Sequence, residues 1–201
     1  MLDGVCRGQR YINEFLRCKC APDLLALGLF PNGKEITESF ALYNAVRQHL
    51  WRRFPPNRDE TLFSVGDGVT PRAAAIFAFR TDWTCYSFDP KLRMDCPFPC
   101  KRLHLVPQRF EHSGVARDIT PDIVVLQHAH ISVEQVVKSC GAGHYAVVSM
   151  PCCTKETFPY PPDVCYRDPS VWSPKNEIQV WRNIYTTVTD GQKLSRKEQN
   201  P

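Results

Sequence analysis

No apolar run in the chain approaches the roughly 20 residues of a membrane-spanning helix, and no charge of one sign dominates it. Lys and Arg number 25 against 21 Asp and Glu, a net charge of +4. That balance permits a nucleic-acid partner without arguing for one, since a mildly basic, solvated surface gives the same count. Residues 1–7 lack the layout of a secretory signal, and there is no internal repeat and no Pro/Gly/Ser-rich linker between domains. A disulfide framework is also a poor fit. Ten cysteines are many, but such frameworks belong to shorter secreted chains, and Cys85, Cys140 and Cys152 lie in apolar runs where a free thiol behaves as a small hydrophobe. A reducing compartment, cytoplasm or nucleus, is the expectation.

What is present is ordinary globular composition, 43% hydrophobic and 23% charged over 201 residues, enough for one domain with a full core. Residues 11–16 and 21–27 read as short helices, with Pro22 suited to a first turn. Pro31-Asn32-Gly33 reads as a turn. A longer helix is expected over 37–51, capped by Thr37 and ended by Phe54-Pro55-Pro56. Strands are expected over 61–65, 84–88, 102–107, 123–126 and 145–150, with helices over 71–79 and 132–139 between them. Residues 154–174, rich in Pro and Tyr, suit a long loop. Residues 178–181 and 183–189 are β-prone, and 191–201 is polar enough for a disordered tail. Alternating strands and helices imply a mostly parallel sheet with helices on both faces, and ligands then bind beyond the carboxyl ends of the strands.

Those ends carry the chemistry. Strand one runs into Ser64-Val65-Gly66-Asp67-Gly68-Val69-Thr70-Pro71, a turn whose glycines allow sharp bending and close approach of a ligand. Strand two ends in Asp89, 21 residues past Gly68, the spacing at which an acid meets ribose hydroxyls. Strand four ends in Gln127-His128-Ala129-His130, and strand five in Met150-Pro151-Cys152-Cys153. Any one tip could be a satisfied turn, and the two cysteines could be buried structural thiols. Four polar tips beyond one sheet point to a ligand site. The turn lacks the Lys-Ser/Thr of a triphosphate loop, and Arg72 and Ala73 stand where a dinucleotide fold has its last glycine, which ranks an oxidoreductase low.

The order of elements and these tips resemble class I S-adenosylmethionine-dependent methyltransferases. Strand four with His128-Ala129 and strand five with Pro151-Cys152-Cys153 resemble one branch, which includes a tRNA ribose methyltransferase. The resemblance covers about residues 60–155. It implies a Rossmann-like methyltransferase fold over residues 59–190, with a helical extension over 1–58 packed on it, and S-adenosylmethionine as cofactor. It implies that Gly66, Asp67, Gly68 and Thr70 form the cofactor turn, that Asp89 holds the ribose, and that Phe110 and Glu111 lie near the adenine. Gln127 and His128 would flank the methyl group, with His128 or His130 as base. RNA would be an acceptor class.

The chain also departs from the family. Ser64 replaces an acid, Thr70 a glycine, and His130-Ile131 a Cys-Gly. Neither a Lys-Asp-Lys-Glu set nor an Asn-Pro-Pro-Tyr motif is present. The alternative function is a catalytically silent methyltransferase-like protein that binds or regulates. A zinc set drawn from Cys96, Cys100, His104, Cys152, Cys153 and Cys165 lacks a second clean pair, and no metal is expected.

Overall fold

The computed structural model describes residues 9–93, 100–154, 156–186 and 194–195. Three helices open it: α1 (Arg10–Leu16), α2 (Ala21–Ala26) and α3 (Gly33–His49). The third begins four residues before the expected start. Asn32, read as part of a turn, supplies the cap: its side-chain oxygen accepts from Glu35 N at 3.1 Å. Thr37 therefore lies inside the helix, its hydroxyl donating back to Lys34 O.

Strand and helix then alternate: β1 (Thr61–Val65), α4 (Arg72–Arg80), β2 (Thr84–Phe88), β3 (Leu103–Val106), a 3-10 turn (Phe110–His112), α5 (Gly114–Asp118), β4 (Ile123–Gln127), α6 (Val133–Ser139) and β5 (Gly143–Met150). Ser132 and Gln135 close a reciprocal capping box at the start of α6. The expected loop over 154–174 contains a strand, β6 (Val164–Arg167), and the two late β-prone runs are, as far as Thr186, one strand, β7 (Glu177–Thr186), with 187–189 outside the described residues. β6 pairs with β7 through Val164–Val180 and Arg167–Glu177, partners its own sequence does not reveal. Of the expected tail, Leu194–Ser195 forms a two-residue β8 on β7, and the rest lies outside the described residues.

The sheet runs β3-β2-β1-β4-β5-β7-β6, with β8 on β7. β1 to β5 are parallel to one another, and β7 runs antiparallel to β5 and β6. Alternation along the strands splits the core into two faces. Ile123 and Val125 join Leu62, Phe40, Phe77 and Trp83 beneath α3 and α4, while Val124 and Leu126 join Phe63, Phe88, Phe110, Val133 and Trp181 on the α6 side. The strand order reverses between β1 and β4, the switch point at which open α/β sheets leave a crevice. Residues Ile36 to Val46 of α3 are all buried. This helix packs on α1 and α4 and also meets β4, β5 and β7, so Thr37, Glu38, Ser39 and Asn44 face protein rather than water.

Candidate functional site

Gly66 and Gly68 have φ of 85° and 81°, the left-handed region that favours glycine. A Cβ on Gly66 would come within 2.9 Å of Ala129 Cα and 3.0 Å of Gln127 O, so the β1 and β4 tips nearly touch there. Asp67 between the glycines points inward, a correction to its expected place beside a cofactor. It is fully buried and accepts from Ala73 N at 3.0 Å, Ala74 N at 3.3 Å and the Ser87 hydroxyl at 2.7 Å. It thus secures the start of α4 and ties it to β2. Burial raises the Asp67 carboxyl pKa, against the pull of Ser87 and the two amides. Thr70 also turns away, donating to Leu29 O at 2.7 Å.

Asp89, half-buried at the β2 tip, braces the turn: Oδ2 accepts from Gly68 N at 3.0 Å and Oδ1 from Lys91 N at 2.8 Å. At the β4 tip the chain bends through His128, a non-glycine residue with φ of 51°, and His128 N donates to Met150 O of β5 at 3.0 Å. Gln127 is 1% exposed. Its Oε1 accepts from Ser39 of α3 at 3.0 Å, and its Nε2 has no partner. His128 Nε2 lies 3.0 Å from Glu38 Oε1, and its buried Nδ1 likewise has no partner.

The α3 residues in this network were not picked out in the sequence. Lys34 Nζ reaches both Glu38 oxygens, at 3.0 and 3.2 Å, and Glu35 at 3.1 Å. Arg72 bonds Glu35 through Nη1 and Asp67 O through Nε. Burial pushes the Glu38 carboxyl up, but His128 and Lys34 outweigh it and hold the group below the ordinary carboxylate value. The available signal was a charged pair spaced i, i+4, Lys34 and Glu38, at the start of an apolar helix.

These groups enclose a cavity of about 530 Å³ lined by Gly66, Gly68, Phe88, Asp89, Phe110, Glu111, Gln127, His128 and His130, with Lys34, Glu35, Glu38 and Arg72 on the α3 and α4 side. The structure therefore gathers eight of the ten sequence-predicted site residues, leaving out Asp67 and Thr70. A hollow of about 530 Å³ lined by Glu14, Arg47 and Arg80, and one of about 740 Å³ lined by Asp23, Phe79 and Arg102, carry none of them. Among the described residues eight cysteines are free thiols. Cys6 and Cys96 lie outside that set. No helix among the described residues is long and apolar enough to cross a membrane.

Neither a family model nor a curated protein matches the sequence. Solved structures do. MtNAS in complex with MTA and tNA aligns over 89% of this chain and 69% of its own, at 9% identity and a TM-score of 0.51. A point mutant of MtNAS in complex with S-adenosylmethionine aligns over 87% and 70%, at 7% identity and a TM-score of 0.50. The chain has a Rossmann-like fold, a mostly parallel sheet between helices. A Methanococcus maripaludis protein, itself named only provisionally as an S-adenosyl-L-methionine-dependent methyltransferase, is 17% identical over 57% of each chain. The chain thus spans little more than half its length, and a TM-score of 0.41 leaves the fold assignment to the MtNAS structures. Within this fold, the cavity lies at the switch point between β1 and β4.

Proposed function

We propose that the chain is an S-adenosylmethionine-dependent methyltransferase. The observation that carries this reading is the pair of buried, unpartnered polar atoms on cavity-lining residues at the β4 tip, Gln127 Nε2 and His128 Nδ1. Buried polar atoms in folded proteins are nearly always paired, so two orphans beside a cavity fit groups left for a ligand. The other lining residues suit this cofactor. Asp89 offers carboxylate oxygens for ribose hydroxyls, the Gly66–Gly68 turn a backbone open to close approach, and the buried Phe110 ring an apolar wall for adenine.

When bound, the cofactor supplies an electrophilic methyl group on a sulfonium. The chain's own residues position and deprotonate. Glu38 accepts from His128 Nε2, which fixes the orientation of the ring and leaves Nδ1 unbonded. An imidazole oriented by a buried carboxylate is equipped to take a proton at Nδ1 from an acceptor hydroxyl or amine. Ser39 holds Gln127 by its oxygen and leaves the amide N–H₂ as a donor. RNA enters as acceptor class through the sequence resemblance alone.

Isothermal titration of the full chain with S-adenosylmethionine tests the reading. Saturable one-to-one binding is expected, weakened about tenfold or more in Asp89→Asn, which loses a charged acceptor yet keeps an oxygen for Gly68 N. No binding at millimolar cofactor overturns it. A second reading, a silent binding module, is favoured by Ser64, buried where the resemblance puts an acid. Cofactor binding without label transfer to any cellular RNA, protein or small-molecule fraction would select it.

A further inference from the structure

Beyond the cavity floor, the β4 and β5 tips bring His130 together with the adjacent Cys152 and Cys153, which follow it by 22 and 23 residues in the sequence. Gln127 and Met150 are register partners in the parallel β4–β5 pair. Three residues past the first stands His130, and three past the second stands Cys153. The bond from His128 N to Met150 O holds the two turns side by side. As a result Cys153 Sγ lies 3.1 Å from His130 Nδ1 and 3.2 Å from Cys152 Sγ, and all three ligand atoms fall within 4.8 Å of one another.

The segment after the cysteines is fastened to the next element. Glu156 Oε2 accepts from Val133 N in the first turn of α6 at 2.9 Å, and its Oε1 accepts from Thr157 N and Phe158 N. Phe158 packs on the core face beside Trp181. The vicinal thiols are therefore carried on a braced turn, facing an imidazole on a second braced turn.

We infer that His130, Cys152 and Cys153 form a binding site for a zinc-class divalent cation at the rim of the cavity. Two thiolates and an imidazole are the ligand set such a borderline-soft ion takes, and three protein ligands leave a fourth position for water or an incoming group. A tetrahedral ion with bonds of about 2.3 Å to sulfur and 2.0 Å to nitrogen sets the sulfurs about 3.8 Å apart. The observed 3.2 Å must open by about half an ångström, which rotation of exposed Cys153 supplies. His130 then serves as a ligand, and the role of base falls to His128. The inference does not depend on methyl transfer, because it rests only on the β4 and β5 tips.

Cobalt(II) titrated into the reduced full chain tests it. One equivalent should bind with thiolate-to-cobalt charge-transfer absorption and the intense visible bands of tetrahedral cobalt, and zinc should bleach both. Cys153→Ser and Cys152→Ser should each weaken the charge-transfer band and the double variant abolish it, and His130→Ala should weaken binding at least as much as the roughly 10–100-fold that losing an outer-shell partner costs. Unchanged circular dichroism would show that the variants fold. Cys165→Ser, on β6, should behave as wild type. Absence of the band in folded wild-type protein, or its survival in the Cys152→Ser, Cys153→Ser double variant, overturns the site.

Discussion

Glu38 joins α3 to the β4 tip through one carboxylate. It is 1% exposed, with His128 and Lys34 as partners. Its pKa in the folded protein lies below the ordinary 4.5, so near that pH the unfolded chain binds more protons than the folded one. The contribution of Glu38 to stability is then complete above pH 4.5 and is lost as pH falls through the lower, folded value. Glu38→Gln should lower stability at neutral pH by about 1–3 kcal/mol and flatten the acid limb of a plot of melting temperature against pH. A variant as acid-sensitive as wild type would show that the carboxylate lacks this role. Sequence alone could not supply it, because a charged residue in an apolar helix reads as its solvated edge until the helix is seen to be buried on every side.

The glycine turn shows how an element sets the tolerance of its residues. Gly66 and Gly68 share a left-handed backbone, but a Cβ on Gly66 would meet the backbone of the β4 tip at 2.9 Å, whereas one on Gly68 would meet the end of the Arg72 side chain at 3.1 Å. Backbone cannot yield and a guanidinium can. Gly66→Ala should cost roughly 2–3 kcal/mol and Gly68→Ala about 1 kcal/mol, read from urea unfolding midpoints. Equal costs would contradict the contact between the β1 and β4 tips. The turn itself, β1, β2, β4 and β5 were legible because buried parallel strands are unbroken apolar runs punctuated by glycine and proline. The inward turn of Asp67 was not, since a motif fixes which residue occupies a position and not which way it faces. Nor was the meeting of His130 with Cys153, which depends on the register of two strands. β6 was hidden because an edge strand with half-exposed residues carries no apolar run of its own.

At the scale of the whole molecule, one sheet with a core on each face brings the tips of β1, β2 and β4, the turn after β3 and the first turns of α3 to a single crevice. The helices before β1 share the core with the sheet, Phe15, Phe40 and Phe77 lying in one cluster with Leu62 and Val125, so the N-terminal residues build the cavity rather than decorate it. That arrangement makes the proposed function a matter of location, with S-adenosylmethionine expected over the Gly66–Gly68 turn. A crystal structure of the chain grown with the cofactor measures this directly. The account predicts density with the ribose at Asp89, the adenine against Phe110 and the methionine end over the glycine turn, within bonding distance of Gln127 Nε2. Density elsewhere in the fold, or an empty crevice at saturating cofactor, would contradict it.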